Sequence, residues 1–193
     1  MSSMHSTITR RLSLSYALTS SPFLQVSRPM LLCQKATPPE ALFPGEPLSF
    51  PVDIWSLGCA IWNIIGVRPL FDQFAITTDW MITEHVTVLG RLPSRWWEKW
   101  DSRFECFNGD GTPRNIEEVG PLWAERLEQF VQEPGQSRGM EEIGNEEKAA
   151  LLTMLKGMLV FEPGERLTVE QVMESKWIKE WALPELEKIR EVQ

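Results

Sequence analysis

The most apolar stretch of the chain is FPVDIWSLGCAIWNIIG, at residues 50–66. Its apolar side chains fall on nearly every face of a helix, and Asp53 stands where an N-cap residue is expected. The pattern predicts a helix over residues 53–66 that is surrounded by protein. Polar residues interrupt the apolar run at 54–65, which is shorter than the roughly 20 residues of a membrane span. We therefore interpret this stretch as a buried helix and not as a membrane anchor.

Apolar periodicity and helix-ending residues predict three more helices. One covers residues 79–89 and ends before Gly90. Another begins after Asn145, and the last follows a capping box made by Thr168 and Gln171. No strand pattern of comparable strength occurs in the sequence. We therefore expect a mainly α fold.

Charge is distributed unevenly along the chain. Residues 1–39 contain four basic residues and no acidic one, whereas the remainder holds 15 basic and 27 acidic residues. The acidic excess argues against direct nucleic-acid binding, because phosphate contacts need clustered lysine and arginine. It fits a basic protein partner, or solubility alone.

The Ser- and Thr-rich segment at residues 1–37 is predicted to be irregular. Its composition is that of a disordered tail or of translated sequence never selected to fold, and it is also that of a mitochondrial presequence.

The three cysteines, Cys33, Cys59 and Cys106, are far apart and form no CxxC pair. Since no histidine lies near them, we expect no zinc site, and a reduced intracellular setting is the default. A catalytic triad is also disfavoured, because His85 is the single histidine outside the N-terminal segment.

Several short motifs resemble a known family. The segments PPE at 38–40, PVDIWSLGC at 51–59 and FEPGERLTVEQVMESKWI at 161–178 resemble the C-terminal lobe of eukaryotic protein kinases, in the family's order. VLGRLP at 88–93, followed by the Trp-rich SRWWEKW, is similar to the SR-protein-kinase-like branch, especially its fungal members.

The resemblance implies a fold and a domain organisation. Residues 38–181 would form a partial protein kinase domain, the helical subdomain with helices F to I and no complete N-lobe β-sheet. Residues 182–193 would be a C-terminal tail. The complete family domain uses ATP and Mg²⁺ to phosphorylate serines in Arg/Ser-rich proteins, in the cytoplasm or the nucleus.

Structural roles follow from the resemblance for five residues. Glu40 matches the glutamate that closes the activation segment, and Arg166 matches the arginine with which it pairs in the family. Asp53, Trp55 and Gly58 belong to the F-helix motif, where the aspartate holds the backbone of the catalytic loop in kinases. An N-cap role for Asp53 is compatible with this.

The SR-protein-kinase branch docks arginine-rich substrate segments with acidic residues near its G helix. Asp79 matches that region, and Glu84 lies nearby on the same predicted helix. Two exposed carboxylates on a solvated helix face are the alternative interpretation.

The nucleotide-binding and catalytic motifs of a kinase do not occur in this sequence. Serine and valine follow His5 and His85, so neither begins an HRD motif, and Asp72 and Asp110 begin DQF and DGT rather than DFG. No GxGxxG loop is present either. We expect no catalytic residue, no metal ligand and no bound ATP or Mg²⁺ in the chain as written.

Two hypotheses follow. In the first, the chain is an N-terminally truncated form of a Ser/Thr kinase of the SR type. In the second, it is a noncatalytic, kinase-derived module that binds a basic partner. In both, the apolar helix at 54–65 would expose surface without its usual cover, so we expect the isolated chain to be marginally stable or to self-associate.

Overall fold

The computed structural model of the chain describes residues 36–71, 77–114 and 121–191. A 3-10 turn at Pro39–Leu42 comes first. The elements that follow are α1 (Pro51–Ile65), α2 (Thr78–Leu89), α3 (Ser94–Trp97), α4 (Arg103–Cys106), α5 (Trp123–Leu127), a π-helical turn (Glu128–Gln132), α6 (Glu133–Gln136), α7 (Asn145–Met158), a 3-10 turn (Pro163–Glu165), α8 (Val169–Met173), a second π-helical turn (Ile178–Ala182) and α9 (Leu183–Glu191).

Helices dominate this architecture. Extended pairing within the three described ranges is limited to an isolated antiparallel bridge between Phe107 and Pro113. The mainly α class predicted from the sequence is therefore confirmed.

The helices predicted from periodicity are all present as α1, α2, α7 and α8. α2 ends at Gly90, whose φ of 90° is a backbone conformation that glycine adopts easily. The capping box of α8 is also present, because Thr168 Oγ1 accepts from Gln171 N and Gln171 Oε1 accepts from Thr168 N. Start and stop residues thus predict these elements well.

The predicted N-cap of α1 is wrong. The helix begins at Pro51, and Phe50 occupies the N-cap position. Proline is favoured in the first turn because its missing N–H would have no intrahelical partner there. Asp53 is consequently the third residue of the helix, where its negative charge favours the positive end of the helix dipole.

The larger core cluster is built around α1 and α7. Trp55 and Trp62 of α1 are fully buried, as are Leu155 and Met158 of α7. The contact is close at Gly58, where an added Cβ would lie 3.1 Å from the side chain of Leu159. A glycine at this position therefore lets α1 lie against the end of α7.

A second core cluster forms from the Trp-rich segment. Trp96, Trp97 and Trp100 are buried against Ile82 and Val86 of α2. Seven of the chain's nine tryptophans are buried, all nine lying in the described ranges. Most tryptophans of the chain are therefore core residues.

Several helical regions were not predicted. They are the short helices α3 and α4, the segment formed by α5, the first π-helical turn and α6, and the second π-helical turn with α9. α9 occupies most of the predicted tail at 182–193, and its Glu185 is buried. The segment at 1–37 lies outside the described residues except for positions 36 and 37.

One face of α1 is open to solvent. Phe50, Leu57, Ile64 and Val67 are 91%, 42%, 39% and 47% exposed, respectively. The sequence predicted a helix surrounded by protein on nearly all sides. The face that carries Trp55 is buried as predicted, whereas the opposite face is not. Phe50, Leu57 and Ile64 share one side because they are spaced by seven positions, whereas Val67 follows the extended C-cap residue Gly66 and lies outside the helix.

Candidate functional site

The centre of the site is a buried ion pair between Glu40 and Arg166. Arg166 Nη1 donates to Glu40 Oε1 at 2.8 Å, and Nη2 donates to Oε2 at 2.6 Å. The Arg166 side chain is completely buried, and that of Glu40 is 2% exposed. Parallel, bidentate contacts of this kind fix the orientation of both side chains. The structure thus brings together the two residues that the resemblance paired.

Arg166 also binds the ends of neighbouring elements. Its guanidinium donates to the carbonyl oxygens of Val160 at 2.9 Å, Pro51 at 3.0 Å and Phe161 at 3.2 Å. The guanidinium carbon lies 5.0 Å from the centre of the Trp55 ring, a cation–π distance. One side chain therefore links the start of α1 to the segment after α7.

Local sequence places both partners. Pro38 is extended and Pro39 begins the 3-10 turn that carries Glu40. On the other side, Pro163 begins the 3-10 turn after which Arg166 returns to an extended conformation. Proline at the first position favours the starting φ of each turn.

An aromatic cluster borders the pair and contains a buried histidine. Trp55 stacks on Phe71 with ring centres 5.3 Å apart, and His85 meets both rings edge-on. Burial, with a smaller contribution from the positive charge of Arg166, lowers the pKa of His85 to about 3. His85 is therefore neutral at physiological pH.

Cys59 lies in the same core. Burial raises the pKa of its thiol to about 12, against a smaller lowering effect of Arg166. Since the thiolate is the reactive form of cysteine, Cys59 is unreactive.

Asp53 is exposed, and its backbone N–H donates to the carbonyl oxygen of Phe50, whereas its carboxylate has no hydrogen-bond or ion-pair partner among the described residues. From the resemblance, we expect Asp53 to hold the backbone of a catalytic loop, and that role stays a prediction.

The two docking candidates of α2 are in different environments. Asp79 is exposed, and its Oδ1 accepts from Trp100 Nε1 at 2.7 Å. Glu84 faces Arg126 at 3.2 Å, with only 13% of its side chain exposed. Five positions on a helix turn roughly 140° apart, so the two carboxylates do not form one surface. A docking role consequently rests on Asp79.

Arg126 was missed by sequence reasoning. It is 2% exposed and donates to the carbonyl oxygens of Pro121 and Leu70 as well as to Glu84. Trp123, Leu127 and Phe130 form an apolar stripe at helical spacing, and Arg126 lies on that stripe. The position of a charged residue on the apolar side of a helix is the feature of the sequence that could have predicted a buried, paired arginine.

Within residues 36–71, 77–114 and 121–191, no three His, Cys, Asp or Glu side chains are grouped closely enough to hold a metal ion. None of the helices that the structure describes combines the length and apolar character needed to cross a membrane.

Comparisons with known proteins point to the same family as the sequence motifs around Glu40 and Arg166. The family model of the protein kinase domain matches residues 32–178. The serine/threonine-protein kinase KDX1 of Saccharomyces cerevisiae is 27% identical over 143 residues, covering 74% of this chain and 28% of that protein.

Two further relatives are also kinases. The serine/threonine-protein kinase SRPK of Physarum polycephalum is 26% identical over 148 residues, covering 72% of this chain and 32% of that protein. The mitogen-activated protein kinase mpkC of Emericella nidulans is 27% identical over 141 residues, covering 72% of this chain and 28% of that protein. The chain thus spans about a third or less of the length of these relatives.

Proposed function

The chain belongs to the protein kinase family, and from this premise we propose that it forms the helical lobe of a Ser/Thr kinase of the SR-protein-kinase type. In the complete domain, this lobe would hold the protein substrate while ATP and Mg²⁺ are held elsewhere. On this proposal the protein works in the cytoplasm or the nucleus.

The observation that supports the proposal most is the Glu40–Arg166 pair. It joins residues 126 positions apart through two short hydrogen bonds in a buried setting. The sequence motifs around both residues resemble the kinase motifs in which such a pair occurs. A pair of this kind fixes geometry more than it adds net stability.

We propose in addition that these 193 residues do not transfer phosphate by themselves. The sequence contains no HRD, DFG or GxGxxG motif. Without the catalytic base, the magnesium ligands and the phosphate-binding loop, the chain has no recognisable residues that could position ATP for phosphate transfer. On this proposal, the chain itself binds a basic protein segment. Binding of this kind is also the function expected if the chain is a noncatalytic, kinase-derived module.

The charge distribution supports a basic partner. The chain carries a formal net charge of −8, with all 27 acidic residues at or after position 40. Asp79 lies exposed in the first turn of α2, and the bond from Trp100 holds its carboxylate in place. An arginine side chain can pair with such a fixed carboxylate at a lower entropic cost.

Substitution of Asp79 by asparagine tests this docking role. The asparagine oxygen can still accept from Trp100, so the variant removes the charge and keeps the local structure. We expect a fluorescent Arg/Ser-repeat peptide to bind about two- to fivefold more weakly, the range of an exposed ion pair. Binding is measured by fluorescence anisotropy at low and at high salt, and salt should weaken it.

The matched control is Glu146→Gln, which removes an exposed first-turn carboxylate from α7. Equal affinities for both variants, or binding that salt does not change, would reject the docking role. The same peptide incubated with ATP and Mg²⁺ should remain unphosphorylated, and phosphorylation would reject the claim about catalysis.

The exposed face of α1 leads to a separate expectation, self-association between two copies. Phe50, Leu57 and Ile64 repeat every seven residues, a spacing that suits pairing of two helices. We expect the double variant Leu57→Gln, Ile64→Gln to raise the dissociation constant at least about tenfold in sedimentation experiments.

The control for self-association is a double variant of two similarly exposed apolar residues, Val169→Gln with Met173→Gln on α8. A chain that stays monomeric at high concentration, or an equal effect of both double variants, would contradict pairing through α1.

A further inference from the structure

The isolated bridge between Phe107 and Pro113 closes a short hairpin whose tip is open to solvent. Within this hairpin, Asn108 N donates to Thr112 O at 2.8 Å, and Gly111 N donates to Asn108 O at 2.9 Å. Asn108 itself is exposed. Backbone hydrogen bonds therefore hold the turn in place while water reaches the Asn108 side chain.

The turn contains the single Asn-Gly and the single Asp-Gly sequence of the chain, at 108–109 and 110–111. In such pairs, the backbone nitrogen of glycine can attack the side-chain carbonyl carbon of the preceding residue and close a five-membered ring. Glycine permits this reaction because it has no Cβ to restrict the backbone conformations that ring closure needs. Both pairs are therefore candidates for a covalent change, and their surroundings decide between them.

In the first pair, the attacking nitrogen makes no competing contact. Gly109 N forms no hydrogen bond among the residues that the structure describes, and a Cβ added at Gly109 would meet no atom within 4 Å. The side-chain nitrogen Nδ2 of Asn108 donates to Thr112 Oγ1 at 3.0 Å, in an exposed position where water can replace this bond. The space and the groups needed for ring closure are thus available at Asn108.

In the second pair, both reacting groups are held by hydrogen bonds. Gly111 N already donates to Asn108 O. Asp110 Oδ1 accepts from Thr112 Oγ1 at 2.7 Å and from Thr112 N at 2.9 Å. These bonds lower the pKa of the Asp110 carboxyl, which keeps it ionised, and a carboxylate is a poorer target for a nucleophile than a neutral amide. The same turn therefore protects Asp110 and leaves Asn108 reactive.

We propose that Asn108 is a site of spontaneous deamidation in the folded protein. Gly109 N bonds to Asn108 Cγ and loses its proton, and Nδ2 leaves as ammonia, which produces a cyclic imide. Water then adds to either carbonyl carbon of the ring and opens it to aspartate or to isoaspartate. The net reaction consumes one water molecule and releases one ammonia, with no oxidation or reduction.

Deamidation changes the hairpin and its contact with the segment after α2. A carboxylate at position 108 cannot donate to Thr112 Oγ1, and it repels the charge of Asp110 in the same turn. Isoaspartate also adds a carbon to the backbone between positions that are now joined by hydrogen bonds. The turn lies on the stem of Arg91, because a Cβ added at Gly111 would lie 2.5 Å from Arg91 Cβ. We therefore expect the modified hairpin to pack less closely on Arg91.

Incubation of the full chain at mildly alkaline pH, followed by digestion and mass spectrometry, tests the proposal. The peptide that contains position 108 should gain the mass difference between a hydroxyl and an amino group, and it should separate into aspartate and isoaspartate forms. Asn145 is the internal control, because it is exposed but precedes glutamate. We expect Asn145 to react at least about tenfold more slowly, and Gly109→Ala to slow the reaction of Asn108 by a similar factor.

A second sample, unfolded in urea at the same pH, separates the effect of the fold from that of the sequence. Asp110 can form isoaspartate through the same type of ring, and we expect this isomerisation to be several-fold faster in the unfolded chain. Circular dichroism verifies that the first sample and Gly109→Ala stay folded. Reaction of Asn108 in the unfolded chain alone would overturn the proposal, and so would equal rates at Asn108 and Asn145 or an unchanged rate in Gly109→Ala. Equal isomerisation of Asp110 in both samples would overturn its protection by the turn.

Discussion

Replacement of Arg166 by methionine is expected to lower the free energy of unfolding by about 3–5 kcal/mol, the cost of leaving a buried partner charge unpaired. Glu40 would keep its buried carboxylate without the two hydrogen bonds that now compensate it. The carbonyls of Val160, Pro51 and Phe161 would also lose a donor. The melting temperature should fall by on the order of ten degrees. Urea unfolding followed by circular dichroism measures the effect.

The double variant Glu40→Leu, Arg166→Met separates the ion pair from the packing around it. We expect it to be more stable than Arg166→Met alone, because no uncompensated charge remains buried. Lys176→Met is the surface control, since Lys176 and Glu180 form an exposed pair at 3.7 Å. That control should change stability by less than about 1 kcal/mol. An equally small effect of Arg166→Met would show that the Glu40–Arg166 pair is not buried in solution.

The Glu40–Arg166 pair was predictable because both residues lie in short, specific motifs. PPE and FEPGER each resemble the motif of one partner in a pair known from the family. The resemblance therefore predicts the contact between two residues that lie far apart in the sequence. Helices α1, α2, α7 and α8 were predictable for a different reason. Their apolar periodicity and their start and stop residues are local signals.

Features that depend on distant partners were not predictable in this way. The carboxylate of Glu84 looks like a surface charge on its own helix, and its partner Arg126 comes from 42 positions later in the chain. No residue pattern within α2 predicts the contact between Glu84 and Arg126. The N-cap of α1 was wrong because a proline two residues before Asp53 can start the helix earlier. Helix α9 was missed because its apolar residues are sparse.

The stability of the protein should decrease in mild acid because of His85. Its pKa is about 3 in the folded chain, against 6.5 as the ordinary value. Between these two values the unfolded chain binds a proton that the folded chain does not, so the free energy of unfolding falls as the pH falls. Full stability from this group is therefore present above about pH 6.5. We expect a loss of about 2 kcal/mol between about pH 7.5 and pH 5.

Urea unfolding at several pH values compares the protein with His85→Leu, in which the buried ring cannot be protonated. The acid-induced loss should be smaller by about 2 kcal/mol in this variant, because the proton uptake of the unfolded state no longer differs from that of the folded state. His5→Ala is the control, since His5 is the other histidine of the chain. Carboxylates contribute mainly at lower pH, because their ordinary pKa values lie near 4. The same pH dependence in His85→Leu and in the unaltered protein would show that His85 keeps its ordinary pKa in the folded chain, and the aromatic cluster of Trp55 and Phe71 would then be open to water.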